Sequence, residues 1–73
     1  MFIHYEIKDE NERKIAIGYD WKPVIDYAEK ASAQKPYRTI KVYAVHWPDI
    51  FKHERKIYLV RTFSRGEGMD YVI

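Results

Sequence analysis

Chemistry in this chain would have to come from three histidines, eleven acidic residues, two serines and one Gly-x-Gly. His4, His46 and His53 contain no i, i+4 pair of the kind that binds zinc on a helix. There is no Cys, which excludes disulfides and thiolate metal sites. His4 and His46 could meet across neighbouring strands, but two ligands fall short of the three or four that a metal site needs. The acidic residues, from Glu6 to Asp70, fall mostly in turns or on the solvent side of a helix, and no pair is spaced to act as acid and base. Ser32 and Ser64 lack the Gly-x-Ser-x-Gly elbow of a hydrolase. Gly66-Glu67-Gly68 shares only its spacing with a phosphate loop; it does not lead from a strand into a helix, and its middle residue is acidic. The sequence therefore offers no catalytic residue, no metal site and no cofactor. It reads as a protein that acts by contact rather than as an enzyme.

The elements that position contact residues are legible from periodicity. Thr39 to Trp47 (Thr-Ile-Lys-Val-Tyr-Ala-Val-His-Trp) is β-branched and aromatic, without Gly or Pro, and reads as a central strand. One face would carry Ile40, Val42, Ala44 and His46; the other Lys41, Tyr43, Val45 and Trp47. Both faces are largely apolar, as expected of a strand covered on both sides.

Earlier in the chain, Phe2 to Lys8 alternates as a strand. The polar turn 9–13 follows, with Asn11 suited to a left-handed conformation. Lys14 to Asp20 is the second strand. An apolar register sets Ile7 opposite Ile15, Tyr5 opposite Ile17 and Ile3 opposite Tyr19. Asp20 is placed to cap a helix running from about Trp21 to about Gln34. Pro23 is tolerated in its first turn. Trp21, Val24, Ile25, Ala28, Ala31 and Ser32 form its buried stripe, and Lys35-Pro36 ends it. Lys56 to Ser64 is the fourth strand. Arg65-Gly66-Glu67-Gly68 is a tight turn, and Met69 to Ile73 reads as a short fifth strand.

The expectation is a single α+β domain over residues 1–73, ordered β-β-α-β-β with a short fifth C-terminal strand. Its sheet is curved and mainly antiparallel, with one helix packed on one face.

Composition bounds the rest. With 73 residues the chain makes one domain of marginal stability. It is 47% hydrophobic and 16% aromatic, too apolar for a disordered chain. A net charge of +2 is far from the dense positive charge of a strong nucleic-acid binder. No leader and no membrane-spanning run is visible, so a soluble cytoplasmic protein is expected.

If the helix covers one face, the other would display Phe2, His4, Tyr43, Val45, Trp47, Tyr58 and Val60, with Lys41 at its rim. For the third and fourth strands the choice of covered face could be inverted. Gly18 would lie opposite His4 and leave a shallow approach. The bland alternative is that Tyr71-Val72-Ile73 folds over this face as a second small core. The connection from Pro48 to Arg55 adds Ile50 and Phe51 at a loop tip, beside Arg55; these residues could instead tuck back onto the core. Aromatic and Arg residues are the ones enriched at interface hot spots.

The sequence thus points to a small binding protein, running from Met1 to Ile73, that docks on or blocks a macromolecule. A protein partner is expected first, in the style of the small regulators and inhibitors that phages and mobile elements encode. Self-association as a homodimer is a further way to cover the second face. The alternative is nucleic acid, with bases stacked on the aromatic face and Lys41, Arg61 and Arg65 meeting phosphates.

Overall fold

The structure, a computed structural model, describes residues 2–34, 39–47 and 55–70. The expected segments Ile50, Phe51 and Tyr71 to Ile73 lie outside them. Five strands and one helix follow in the order β1 (Phe2–Asp9), β2 (Lys14–Gly18), α1 (Trp21–Ala33), β3 (Thr39–His46), β4 (Lys56–Ser64) and β5 (Glu67–Asp70). They form one antiparallel sheet, ordered β2-β1-β3-β4-β5, with α1 across one face. This is the expected α+β domain, with its fifth strand shifted to begin directly after the turn.

The topology explains the helix. Strands β2 and β3 both pair antiparallel with β1, so they run in the same direction on either side of it. Two such strands cannot be joined by a tight turn; the chain must travel back along the sheet. Thirteen helical residues span about 20 Å, roughly the length of a six-residue strand.

Asp20 sits at the N-cap with extended backbone, but its side chain makes no capping hydrogen bond. Its carbonyl accepts the Val24 N–H at 3.3 Å. Gln34 returns to extended geometry and ends the helix. Val24, Ala28, Ala31 and Ser32 are buried, as the stripe predicts. Trp21 departs from it: at the first helical position it overhangs the core and stays 40% exposed.

The core joins Val24, Ala28 and Ala31 of α1 to Ile7 of β1, Ile40 and Val42 of β3 and Phe63 of β4. Two close approaches set the helix on the sheet. Gly18 packs against Val24 so tightly that a Cβ there would overlap its Cγ2. At the other end Ser32 Oγ donates to Glu29 O (2.8 Å) and accepts the Gly66 N–H (2.9 Å). Gly66 and Arg65 both have positive φ, so the β4–β5 connection is a two-residue turn of the mirror-image type that suits strand twist. Phe63 lies over its pair partner Gly68, where a Cβ would stand 2.8 Å from the ring.

The β1–β2 hairpin departs from its expected register. Ile7 pairs with Ala16, Glu6 with Ile17 and Tyr5 with Gly18, with Ile15 bulged out of the ladder. Ile17 therefore turns away from the helix and is about half exposed, and Tyr19 lies beyond the strand. Gly18 faces the helix rather than leaving an approach beside His4. The left-handed residue in the turn is Glu12, not Asn11. Asp9 organises that turn: its Oδ1 accepts the N–H groups of Asn11 and Arg13, each at 2.9 Å.

The Gly18–Val24 contact gives a direct expectation. Gly18→Ala should cost about 1–3 kcal/mol, as overpacking does in close-fitting interiors. Combined with Val24→Ala it should cost clearly less than the two single losses added together, because the truncated side chain makes room. Urea denaturation of the four proteins in that cycle checks this; additive losses would show that the contact is not the constraint.

A candidate binding surface beside the helix

Two further bulges decide which side chains share a face. In β1, Phe2 pairs with His46 and His4 with Val45, so Ile3 is the extra residue and Phe2 turns to the helix side. In β4, Arg61 pairs with Val42 and Leu59 with Tyr43, so Val60 is the extra residue. Beyond it, Tyr58 shares the helix side with Ala44, while Leu59 and Ile57 turn to the back.

These shifts assemble an aromatic surface on the helix side, past the N-terminal end of α1. Tyr5 lies between Phe2 (ring centroids 4.6 Å apart) and Trp21 (5.4 Å). His46 lies between Phe2 (5.6 Å) and Tyr58 (5.5 Å). Neighbouring rings are inclined by 51–79°, the tilted and edge-to-face arrangements that their quadrupoles favour. Arg61 lies 5.4 Å from the centre of Trp21, and Arg55 lies 5.3 Å from that of Trp47, at the end of β3. Phe2, Trp21, Trp47 and Tyr58 each remain more than a third exposed.

The back of the sheet carries a charged network, beside which Ile17 and Ile57 are each about half exposed. Glu6 is buried there with His4 Nε2 at 2.9 Å and Lys14 Nζ at 3.3 Å. Glu12 takes the Lys41 ammonium and the Tyr43 hydroxyl, which donates to Oε2 at 2.9 Å. Lys8 stands 4.9 Å above the Tyr43 ring. Val45 is fully buried.

The expected contact residues thus divide between two faces. Phe2 and Tyr58 lie on the helix side, and Val60 packs against the core. His4, Lys41, Tyr43 and Val45 lie on the back. His4 and His46 are on opposite faces and do not meet. Sequence reasoning assigned Tyr5 and Trp21 to the covered face, and Tyr5 does pack against the core; it weighed His46 only as a partner for His4 and Arg61 only as a phosphate contact. The one available signal was Trp21 at the very start of the helix, where a side chain leans back toward the N-terminus and has no preceding turn beneath it. Among the described residues no group of three metal-capable side chains is present, and no helix is long and apolar enough to cross a membrane.

The network gives the fold a pH dependence. Burial pushes the Glu6 carboxyl up, but hydrogen bonds and charge from His4 and Lys14 outweigh it and hold the group below its ordinary value of 4.5. Hydrogen bonds from Lys41 and Tyr43 lower Glu12 in the same sense. A carboxyl depressed in the folded state binds fewer protons than in the unfolded chain, so its contribution is present above the ordinary value and is lost as pH falls through the lowered one. Glu6→Gln should therefore lower stability at neutral pH and flatten the acid limb of the curve, leaving the part owed to Glu12. Thermal melts from neutral pH into the acid range test this; an unchanged acid slope would show that Glu6 is not held by its partners.

No family model matches this chain, and neither does any curated protein or any solved structure.

Proposed function

We propose that this chain is a small non-enzymatic binding protein whose partner is another protein, engaged through the aromatic surface of Phe2, Tyr5, Trp21, His46 and Tyr58 with Arg61 beside it. The observation that carries the reading is one contiguous chain of ring contacts in which Phe2, Trp21 and Tyr58 are each more than a third exposed. A protein of this size has little apolar surface to spare, since its core is small. Large rings left outside it, already fixed by their neighbours, present contact area at low entropic cost. Aromatic and Arg side chains are those in which binding energy concentrates. A protein that only occupies a partner's surface acts as a regulator or inhibitor, the role in which small phage and mobile-element proteins serve.

The ring geometry favours protein over nucleic acid. Bases stack on open, flat ring faces. Here the rings are tilted or edge-on to their neighbours rather than set out as parallel flat faces, and the Trp21 and Trp47 rings are already approached by arginines. A surface of mixed edges and faces suits the irregular contour of a folded protein better than a run of bases.

Immobilised protein would be exposed to a nuclease-treated lysate of the source organism and compared with Trp21→Ser and Tyr58→Ser, each first shown to melt as a folded domain. A partner held by the wild type should survive high-salt washing and be weakened about thirtyfold or more by either substitution. Retention that vanishes with nuclease, or falls steeply with salt, would favour the nucleic-acid alternative. Equal retention by the variants would move the binding surface elsewhere.

A further inference from the structure

Four rings of the aromatic surface stand on strands: Phe2 and Tyr5 on β1, His46 on β3 and Tyr58 on β4. Trp21 stands on the helix, at its first position. A helical side chain leans back toward the N-terminus, so this one reaches past the end of α1 with no preceding turn beneath it. A large exposed ring on two rotatable bonds has several staggered orientations open to it. Two neighbours meet the ring. Tyr5 lies at 5.4 Å, tilted by 58°. The guanidinium of Arg61 stands 5.4 Å from its centre.

Arg61 is itself well anchored. Its backbone lies inside the sheet, paired with Val42 of β3 on one side and Asp70 of β5 on the other. The same guanidinium lies 5.8 Å from the centre of the Phe63 ring, which is sealed in the core. Both distances fall within the roughly 6 Å over which a cation is drawn to a ring. One side chain therefore ties an exposed ring on the helix to a buried ring on the sheet. The bulge at Val60 makes this possible, since it lets Tyr58 and Arg61, three residues apart on one strand, share the helix side.

We infer that Arg61 is the positioning residue of the aromatic surface: by lying against both Trp21 and Phe63 it sets the orientation of the Trp21 ring before a partner arrives. For its effect on binding, this role rests on the reading that the surface engages a protein. A ring already fixed loses less freedom on association, so more of its contact energy reaches the complex. Arginine suits the task. Its planar guanidinium stacks on aromatic faces, whereas a lysine ammonium is a compact, strongly hydrated point charge. A strand also holds the positioning group more precisely than a loop would. In this role Arg61 contributes to binding through Trp21 rather than by touching the partner.

The chain has two tryptophans, so heteronuclear relaxation of the indole N–H groups reads the motion of each ring in the free protein, with Trp47→Phe assigning the Trp21 signal. Arg61→Met keeps the aliphatic stem and removes the cation. In it the weight of the held Trp21 orientation against all others should fall about two- to fivefold, the factor that a cation–π contact contributes at an exposed site. Arg61→Lys, the milder change, should loosen the ring in the same direction by less. The Trp47 indole and the backbone N–H groups of Lys22 and Val24 should stay as rigid as in the wild type. A Trp21 signal as rigid as the wild type's in a folded variant would overturn the inference. So would loosening that spreads to the first helical turn, which would make Arg61 a support of the helix and not of the ring. With a partner retained by the wild type, Arg61→Met should weaken binding clearly in the wild-type background and much less in Trp21→Ser. Equal losses in both backgrounds would show that Arg61 touches the partner itself, and would overturn the positioning role. The relaxation measurement needs no partner, so it holds or fails separately from the binding reading.

Discussion

One helix has to cover a sheet that is wider than it is. A helix with its side chains is about 10 Å across, whereas four spacings between five strands come to about 19 Å. Helix α1 solves this by sitting over β1, β3 and β4, where Ile7, Ile40, Val42 and Phe63 are sealed beneath it. Two contacts fix it there, Val24 against Gly18 and Ser32 against the Gly66 turn. Everything outside that footprint must be stabilised in another way or be left to meet other molecules.

Past the N-terminal end of the helix, the uncovered corner is filled by rings. Tyr5, Phe2, His46 and Tyr58 lean on one another, and Trp21 reaches over from the helix to join them. Such contacts contribute on the order of 0.5–1.5 kcal/mol per pair beyond area burial. They hold the corner rigid without removing it from solvent. On the side of β2, by contrast, no described residue pairs with the outer edge of the strand. The two uncovered regions differ in chemistry: one is aromatic with arginines beside it, the other is backbone and small apolar side chains.

The back of the sheet follows a different logic. No helix lies there among the described residues, and polar side chains do the covering. The ammonium groups of Lys14 and Lys41 meet Glu6 and Glu12, and that of Lys8 stands over the Tyr43 ring. Exposed ion pairs of this kind are worth little singly. Their arrangement matters more for Glu6, whose burial would be costly without His4 and Lys14.

The elements were legible in the sequence because each rests on local chemistry. Alternation marked the strands, Ala28 and Ala31 at helical spacing marked the packed face of α1, and Arg65-Gly66-Glu67-Gly68 marked the last turn, of which Glu67 and Gly68 belong to β5. The α+β architecture follows from those alone. The functional surface was not legible, and the reason is specific. Assigning side chains to faces assumes an unbroken period of two, and three single-residue bulges, at Ile3, Ile15 and Val60, each break it. A bulge leaves no mark in composition, since Ile and Val are ordinary strand residues; it arises where the twist of neighbouring strands and the seat of the helix demand it. Tertiary packing therefore decided that Phe2 and Tyr58 join Tyr5 and His46 and that Ile17 faces outward. It also decided that His4 and Tyr43 belong to a charged network.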